Sequence, residues 1–288
     1  MAIHKLLSIS HTLDDEIGKA LDSFLQRGTF LLPSSDEFFS EFPILKSVTN
    51  LVEDALHELG GALLVKYQNR APKDSIWITA EKTLCCRSTD DVFLLLKSSD
   101  RYQNIPRESF YIKFVEWRND WDSKNEFRLF FTGGKIHALS QRDCTAVFPS
   151  LLKESDSIFT FITNSFKDIF SKDNSSIVEM LNCSIFKDYN IHSSDLSQNE
   201  SIYDTNFFVD IYLDLIHETI FVIDSEPEYL CNDYLLFESS EKLHSSPPGC
   251  FLLVENEGDC RLGIFNQNIL PVDLEQGDDF AEILGNLH

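Results

Sequence analysis

The sequence predicts an α+β protein whose second half contains a largely antiparallel sheet. Helical spacing and β-type runs alternate in the first half, whereas strand-like runs outnumber helical ones in the second. Two runs rich in Phe, Val and Ile, at 207–212 and 220–227, carry carboxylates inside a pattern typical of half-buried strands. The chain of 288 residues is long enough for one large domain or two lobes.

In the first half, apolar spacing and glycine stops define the predicted elements. The spacing predicts helices over 12–27, 45–59 and 89–96, and strands over 62–65, 76–78 and 111–117. The segment between the first two strands is predicted to be a loop that carries Lys66 and Lys73.

In the second half, a glycine pair and a polar stretch separate the predicted elements. Strands over 126–131 and 136–139 form a predicted hairpin, and residues 158–170 a helix. Residues near 172–206 are rich in Ser, Asn and Asp, so we expect a flexible insertion before the hairpin of 207–227.

Composition limits the classes of function. A formal charge of −23 argues against general nucleic-acid binding and favours a basic protein partner or cation-assisted binding of an anion, although solubility alone also accounts for such charge. Seven cysteines without a Cys-x-x-Cys spacing argue against a disulfide framework or a zinc knuckle. With no secretory signal and no long apolar run, we expect a cytoplasmic protein without a membrane span.

The carboxylates of the C-terminal hairpin are candidate metal ligands. Folding the two strands on each other could place Asp210 opposite Asp224, and strand alternation then puts Glu226 on the face of Asp224. Converging carboxylates repel one another, and Mg²⁺ relieves that repulsion because it prefers oxygen ligands. The same spacing is equally compatible with acids that merely edge a strand.

Three basic residues are candidate phosphate ligands. Lys66 and Lys73 flank a proline-containing loop, although exposed loop lysines are common. Arg128 lies in an otherwise apolar strand and needs an anion or a carboxylate. Glu126, two residues before it on the same face, is the obvious structural partner, so a salt bridge competes with a phosphate role.

The remaining candidates are less specific. Glu116–Trp117 end a predicted strand whose backbone groups could meet a purine ring. The sequence lacks a P-loop, Gly-x-Gly-x-x-Gly and Gly-x-Ser-x-Gly, so it offers no catalytic residue by motif. Cys144 has no evident histidine partner and is better interpreted as a structural thiol.

Several segments taken together resemble one known family. Four segments in sequence order, followed by the predicted hairpin of 207–227 and by Leu270–Leu274, resemble the cell division cycle protein 123 family, also called D123. Leu-Lys-Ser-Ser-Asp combined with Ser-Gln-Arg-Asp is the most specific part of the likeness, which extends over most of the chain. The segments are Ala71–Ile78, Phe93–Asp100, Glu126–Arg128 and Ser140–Asp143.

The resemblance implies an ATP-grasp-like fold with an N-terminal lobe over 1–109 and a C-terminal lobe over 110–288. It implies a monomeric assembly factor for the heterotrimeric translation initiation factor 2 that acts on the gamma subunit and binds ATP and Mg²⁺. Family knowledge places Asp210, Asp224 and Glu226 at magnesium, Lys66, Lys73 and Arg128 near the phosphates, and Glu116–Trp117 beside adenine.

The chain departs from the family pattern at three places. Val115–Trp117 replaces Arg-Lys-Trp, Asp224–Pro227 replaces Asp-Phe-Asn-Pro, and Gln68–Arg70 replaces Asn-Trp-Ser. The leading hypothesis is an ATP-binding chaperone without expected turnover. The alternatives are an ATP-grasp ligase that activates a carboxylate or an RNA end, and a scaffold that has lost the nucleotide.

Overall fold

The computed structural model describes residues 2–26, 31–35, 37–68, 70–79, 81–102, 110–167, 206–228 and 233–261. The predicted insertion, except for residue 206, and the segment 270–274 lie outside the described residues.

The described residues form an α+β structure, as the sequence predicts. The helices are α1 (Asp15–Gln26), α2 (Phe38–Glu41), α3 (Lys46–Glu58), α4 (Thr89–Lys97), α5 (Pro149–Phe166) and α6 (Ser240–Ser245). The strands are β1 (Ala2–Lys5), β2 (Ser8–Leu13), β3 (Leu63–Tyr67), β4 (Phe110–Glu116), β5 (Glu126–Thr132), β6 (Lys135–Gln141), β7 (Phe207–Asp214), β8 (Thr219–Pro227) and β9 (Cys250–Leu252).

The chain divides into two compact units. Leu7–Arg118 belong to one, and the described residues among 1–6 and 119–263 belong to the other. The predicted boundary after residue 109 differs from this division, because β4 is the central strand of the sheet in the first unit. We call the two the N-terminal unit and the C-terminal unit.

The N-terminal unit is built on a three-stranded antiparallel sheet in the order β2-β4-β3. One face of the sheet supplies apolar side chains to a core that it shares with α1 to α4. Phenylalanine fills much of this core, and the rings of Phe24, Phe38 and Phe93 meet edge to face at centroid distances of 5.4–5.6 Å.

The C-terminal unit is built on a six-stranded mixed sheet in the order β1-β8-β7-β5-β6-β9. The three central pairings are antiparallel, whereas β1 and β9 add to the edges in parallel. One face packs against α5, whose Leu151, Ile158, Ile162 and Phe166 are buried. The opposite face carries Arg128, Asp210 and Asp224, together with a smaller apolar cluster that contains Phe130 and Phe208.

Most predicted elements are present, and three expectations need correction. Helices α1, α3 and α4, the β5–β6 hairpin and the β7–β8 hairpin confirm the pattern analysis. The predicted strand at 76–78 is wrong, since Lys73–Ile78 form a 3₁₀ turn. Lys66 lies within β3 and not in the following loop, and α5 begins at Pro149 and not at residue 158.

Among the described residues, no helix combines the length and the apolar character that a membrane crossing requires.

Candidate functional site

The β7–β8 hairpin places two carboxylates opposite each other, as predicted. Asp210 pairs with Asp224, whereas the next pair along is Ile211 with Val222, so Ile223 is an extra residue in β8. Without this bulge Asp224 would stand opposite Val209, on the other face of the sheet. The bulge thus keeps apolar residues on the face that packs against α5 and brings both acids to the face that carries Arg128. We call this hairpin, with Asp210, Asp224 and Glu226, the acidic hairpin.

Arg128 reaches Asp210 from the neighbouring strand. The two residues are directly opposite in the β5–β7 pairing. Nε donates to Oδ1 at 2.6 Å and Nη2 donates to Oδ2 at 2.8 Å, a bidentate geometry. Nη1 donates to the carbonyl of Asp233 at 2.6 Å, and the guanidinium lies 3.9 Å from the centre of the Phe208 ring. These contacts fix the arginine in one orientation.

Arg142 extends the ion pair into a network of four residues. Its Nε donates to Oδ2 of Asp210 at 3.0 Å, and its Nη1 donates to Glu126. Burial by itself would lower the pKa of Arg142, but the two carboxylates outweigh it and raise that pKa above its ordinary value. Glu126 therefore pairs with Arg142, while Arg128 pairs with Asp210. The arginine network, as we call Glu126, Arg142, Asp210 and Arg128, contains equal numbers of positive and negative charges.

The predicted metal ligands have the right chemistry, but they do not converge closely enough to hold an ion in this structure. Carboxylate oxygens suit Mg²⁺, and Asp210, Asp224 and Glu226 share one face of the hairpin. In the described part of the chain, however, no three His, Cys, Asp or Glu side chains come together closely enough to hold a metal. Both oxygens of Asp210 accept hydrogen bonds from arginine. A metal at Asp210 would compete with the two arginines for the lone pairs of this carboxylate.

The predicted phosphate ligands of the N-terminal unit lie on and near β3. Lys66 is only 6% exposed and stands opposite Lys113 of β4, itself 8% exposed. Lys73 opens the 3₁₀ turn and is half-buried. Lys113 is not among the predicted site residues. A lysine among the apolar residues of β4 is nevertheless the same kind of signal as an arginine among the apolar residues of β5.

The end of β4 is held by backbone hydrogen bonds. The amide of Glu116 donates to the carbonyl of Leu7 at 2.8 Å, and the amide of Trp117 donates to the carbonyl of Ala62 at 3.2 Å. The side chain of Glu116 lies 3.5 Å from Nη1 of Arg118. These two amides complete the sheet, so a purine beside Glu116–Trp117 would need other backbone groups. The adenine assignment stays a prediction.

Hydrogen bonds connect the segments that carry the family resemblance. Asp74 accepts bonds from the hydroxyl of Ser99 at 2.6 Å and from the amide of Asp100 at 2.9 Å. These contacts join Ala71–Ile78 to Phe93–Asp100. The side chain of Gln141 accepts from the amide of Val254 at 3.1 Å and donates to two loop carbonyls. Asp74 thus fixes two of the segments to each other, and Gln141 fixes the loop after β6 to residue 254.

Comparison with known proteins identifies the relatives. The profile of the D123 family matches residues 32–268. A "Translation initiation factor eIF2 assembly protein" of Schizosaccharomyces pombe is 28% identical over 216 residues, which cover 68% of this chain and 57% of that protein. The protein of the same description in Dictyostelium discoideum is 26% identical over 251 residues, covering 80% of this chain and 62% of its own length.

Solved structures agree with the architecture. Cdc123 from Schizosaccharomyces pombe superposes with a TM-score of 0.60 at 22% identity, covering 87% of this chain and 90% of that chain. At this identity the likeness establishes the fold alone. The aligned part spans about half the length of several curated relatives, as with the Lodderomyces elongisporus eIF2 assembly protein, of which 50% is covered at 27% identity.

Proposed function

The chain belongs to the D123 family, and we propose on that basis that it is an assembly factor for translation initiation factor eIF2. The described relatives carry the name eIF2 assembly protein, and this is the observation that carries the proposal. Its partner would be the gamma subunit of eIF2, which the resemblance in the sequence implies. We further propose an ATP-grasp-like use of the fold, in which the protein binds ATP and Mg²⁺ without turnover.

The residues proposed for the nucleotide are those of the sequence analysis. In the C-terminal unit, Asp210, Asp224 and Glu226 would hold Mg²⁺, and Arg128 would meet a phosphate oxygen. The support for this assignment is the shared face of the acidic hairpin and the arginine beside it. In the N-terminal unit, Lys66 and Lys73 would contact phosphates. Bound Mg²⁺ would neutralise phosphate charge beside the carboxylates.

In this proposal Arg128 and Asp210 exchange their ion pair for contacts with the ligand. Arg128 now neutralises Asp210, and both side chains are almost fully buried. On nucleotide binding, the guanidinium of Arg128 could pair with a phosphate oxygen, while the carboxylate of Asp210 would bind Mg²⁺. The exchange keeps every buried charge compensated, which is a requirement in a site of low polarity.

The partner assignment is tested by direct binding. Purified eIF2 gamma subunit is passed over the immobilised protein, with and without ATP and Mg²⁺. Saturable binding that is strengthened by the nucleotide supports the proposal. The charge-neutral variant Ser157→Ala, on the exposed side of α5, serves as a surface control and should bind as wild type does. Absence of binding to the gamma subunit under all of these conditions refutes the partner.

A second candidate is a scaffold of the same fold that has lost the nucleotide. The observation in its favour is that both oxygens of Asp210 are engaged by Arg128 and Arg142. The glutamate at 226, where the family has asparagine, adds a further negative charge beside any phosphate. Gamma-subunit binding that is indifferent to ATP, in a protein that binds no ATP, would favour this candidate.

A further inference from the structure

Two buried lysines stand side by side on one face of the N-terminal sheet. Lys66 of β3 and Lys113 of β4 are directly opposite in the antiparallel pairing. Such residues have Cβ atoms about 4.5–5.5 Å apart, on the same side of the sheet. Their exposed fractions are 6% and 8%. We call the two residues the lysine pair.

The face that carries the lysine pair is not the core face. Val65 and Tyr67 on β3, and Ile112 and Phe114 on β4, point into the apolar core between the sheet and the helices. Because side chains alternate along a strand, Lys66 and Lys113 point to the opposite side. Ser10 of β2 is paired with Lys113 and extends the row on that side.

Adjacent ammonium groups favour an anion that can contact both. Like charges placed directly opposite each other on a sheet are destabilising, and limited contact with water strengthens each electrostatic interaction. An anion with several charged oxygens can contact both ammonium groups at once. A chain of phosphates has this property, and lysine is a common phosphate ligand in proteins.

We propose that Lys113 and Lys66 together bind the phosphate chain of a nucleotide, with Lys113 as a ligand that the sequence does not predict. The inference rests on the proposed nucleotide binding and deepens it, because it names a residue and a group of the ligand. The hydroxyl of Ser10 stands next in the row as a further donor.

The test measures the binding of two ligands by calorimetry, namely ATP with Mg²⁺ and inorganic tripolyphosphate. Wild type is compared with Lys113→Met, Lys113→Arg and the control Lys46→Met, which changes an exposed lysine at the start of α3. Lys113→Met should weaken the binding of both ligands by about 10- to 100-fold, the value of a charged hydrogen bond. Lys113→Arg should retain most of the affinity, and Lys46→Met all of it.

Folding is controlled separately. Thermal unfolding of unliganded Lys113→Met and Lys113→Arg shows whether each variant is folded at the temperature of the titration. A stable Lys113→Met variant with wild-type affinity for both ligands overturns the inference while the proposed function stands. Wild type that binds tripolyphosphate as tightly as ATP, with both lost in Lys113→Met, upholds the lysine pair and removes the case for a nucleotide. Wild type that binds neither ligand overturns both the inference and the proposed nucleotide binding, whereas the role in eIF2 assembly is tested by gamma-subunit binding.

Discussion

Asp210 is the residue on which the charge balance of the acidic hairpin depends. Its side chain is 1% exposed and accepts hydrogen bonds from both Arg128 and Arg142. Asp210→Asn leaves two guanidinium groups without their shared carboxylate, so we expect a loss of about 3–5 kcal/mol in the free energy of unfolding. Urea denaturation measures the loss. Asp156→Asn on the exposed side of α5 is the matched control, and an equally small effect of both substitutions would contradict the arginine network.

The lowered pKa of Asp143 makes the free energy of unfolding depend on pH in the acidic range. Burial by itself would raise the pKa of this carboxyl group, but hydrogen bonds from Ser123 and Thr145 outweigh it and hold the pKa below its ordinary value. A lowered pKa contributes stability above the unfolded value of about 3.9, and the contribution is lost as pH falls through the folded value.

The free energy of unfolding should therefore fall more steeply in wild type than in Asp143→Asn as the pH is lowered from about 5 to about 3. Denaturation at a series of pH values measures both slopes. Parallel slopes for the two proteins would show that the hydrogen bonds of Asp143 add nothing to stability.

At the residue scale, the sequence predicts which side chains matter better than it predicts their partners. Arg128 was identified because an arginine in an apolar strand needs an anion, and the structure supplies one. Glu126 was the expected partner, yet Asp210 takes that place, because strand pairing brings together residues 82 positions apart. Local spacing cannot reveal such a pair unless the register of the sheet is known.

At the scale of elements, α1 is positioned by a close approach to β4. A Cβ atom on Gly18 would lie 1.9 Å from Cγ of Phe110. An alanine inside a helix normally stabilises by about 0.5–1 kcal/mol relative to glycine. We expect Gly18→Ala to destabilise the protein instead, by about 1–3 kcal/mol, because the core cannot accept the added methyl group.

Thermal and urea unfolding test this sign reversal. Gly258→Ala is the control, since its Cβ would meet nothing within 4 Å, and its effect should stay within about 0.5 kcal/mol. A stabilising effect of Gly18→Ala would mean that the contact between α1 and Phe110 is looser than described.

Elements marked by a pattern of neighbouring residues are predicted from the sequence, whereas strands defined by pairing with distant residues are not. The sequence predicts the β7–β8 hairpin because a short loop near His217 separates two runs rich in Phe, Val and Ile. β1 and β2 were missed, since each is short and pairs with residues far along the chain, at 219–222 and 110–115. The apolar run Ile76–Ile78 suggested a strand, but a hydrogen bond from Ser75 to the Pro72 carbonyl accompanies a 3₁₀ turn.

At the scale of the whole molecule, the formal charge of −23 predicts the kinetics of partner binding. If a basic surface of the gamma subunit is attracted by this charge, screening must slow association. Raising the ionic strength from about 0.1 M to about 1 M shortens the Debye length from about 10 Å to about 3 Å. We expect the association rate constant to fall about tenfold or more, as measured by stopped-flow mixing. A rate that is independent of salt would leave the charge with a role in solubility alone.

Calorimetric titration of ATP with and without Mg²⁺ tests whether the acidic hairpin holds Mg²⁺ for a bound ATP. The titration compares wild type with Asp224→Asn, which removes one charge at nearly constant shape, and with Asp156→Asn as the matched control. We expect magnesium-dependent binding in wild type and in Asp156→Asn, and its loss in Asp224→Asn. Magnesium-independent binding, or equal affinity in Asp224→Asn and wild type, would contradict this expectation.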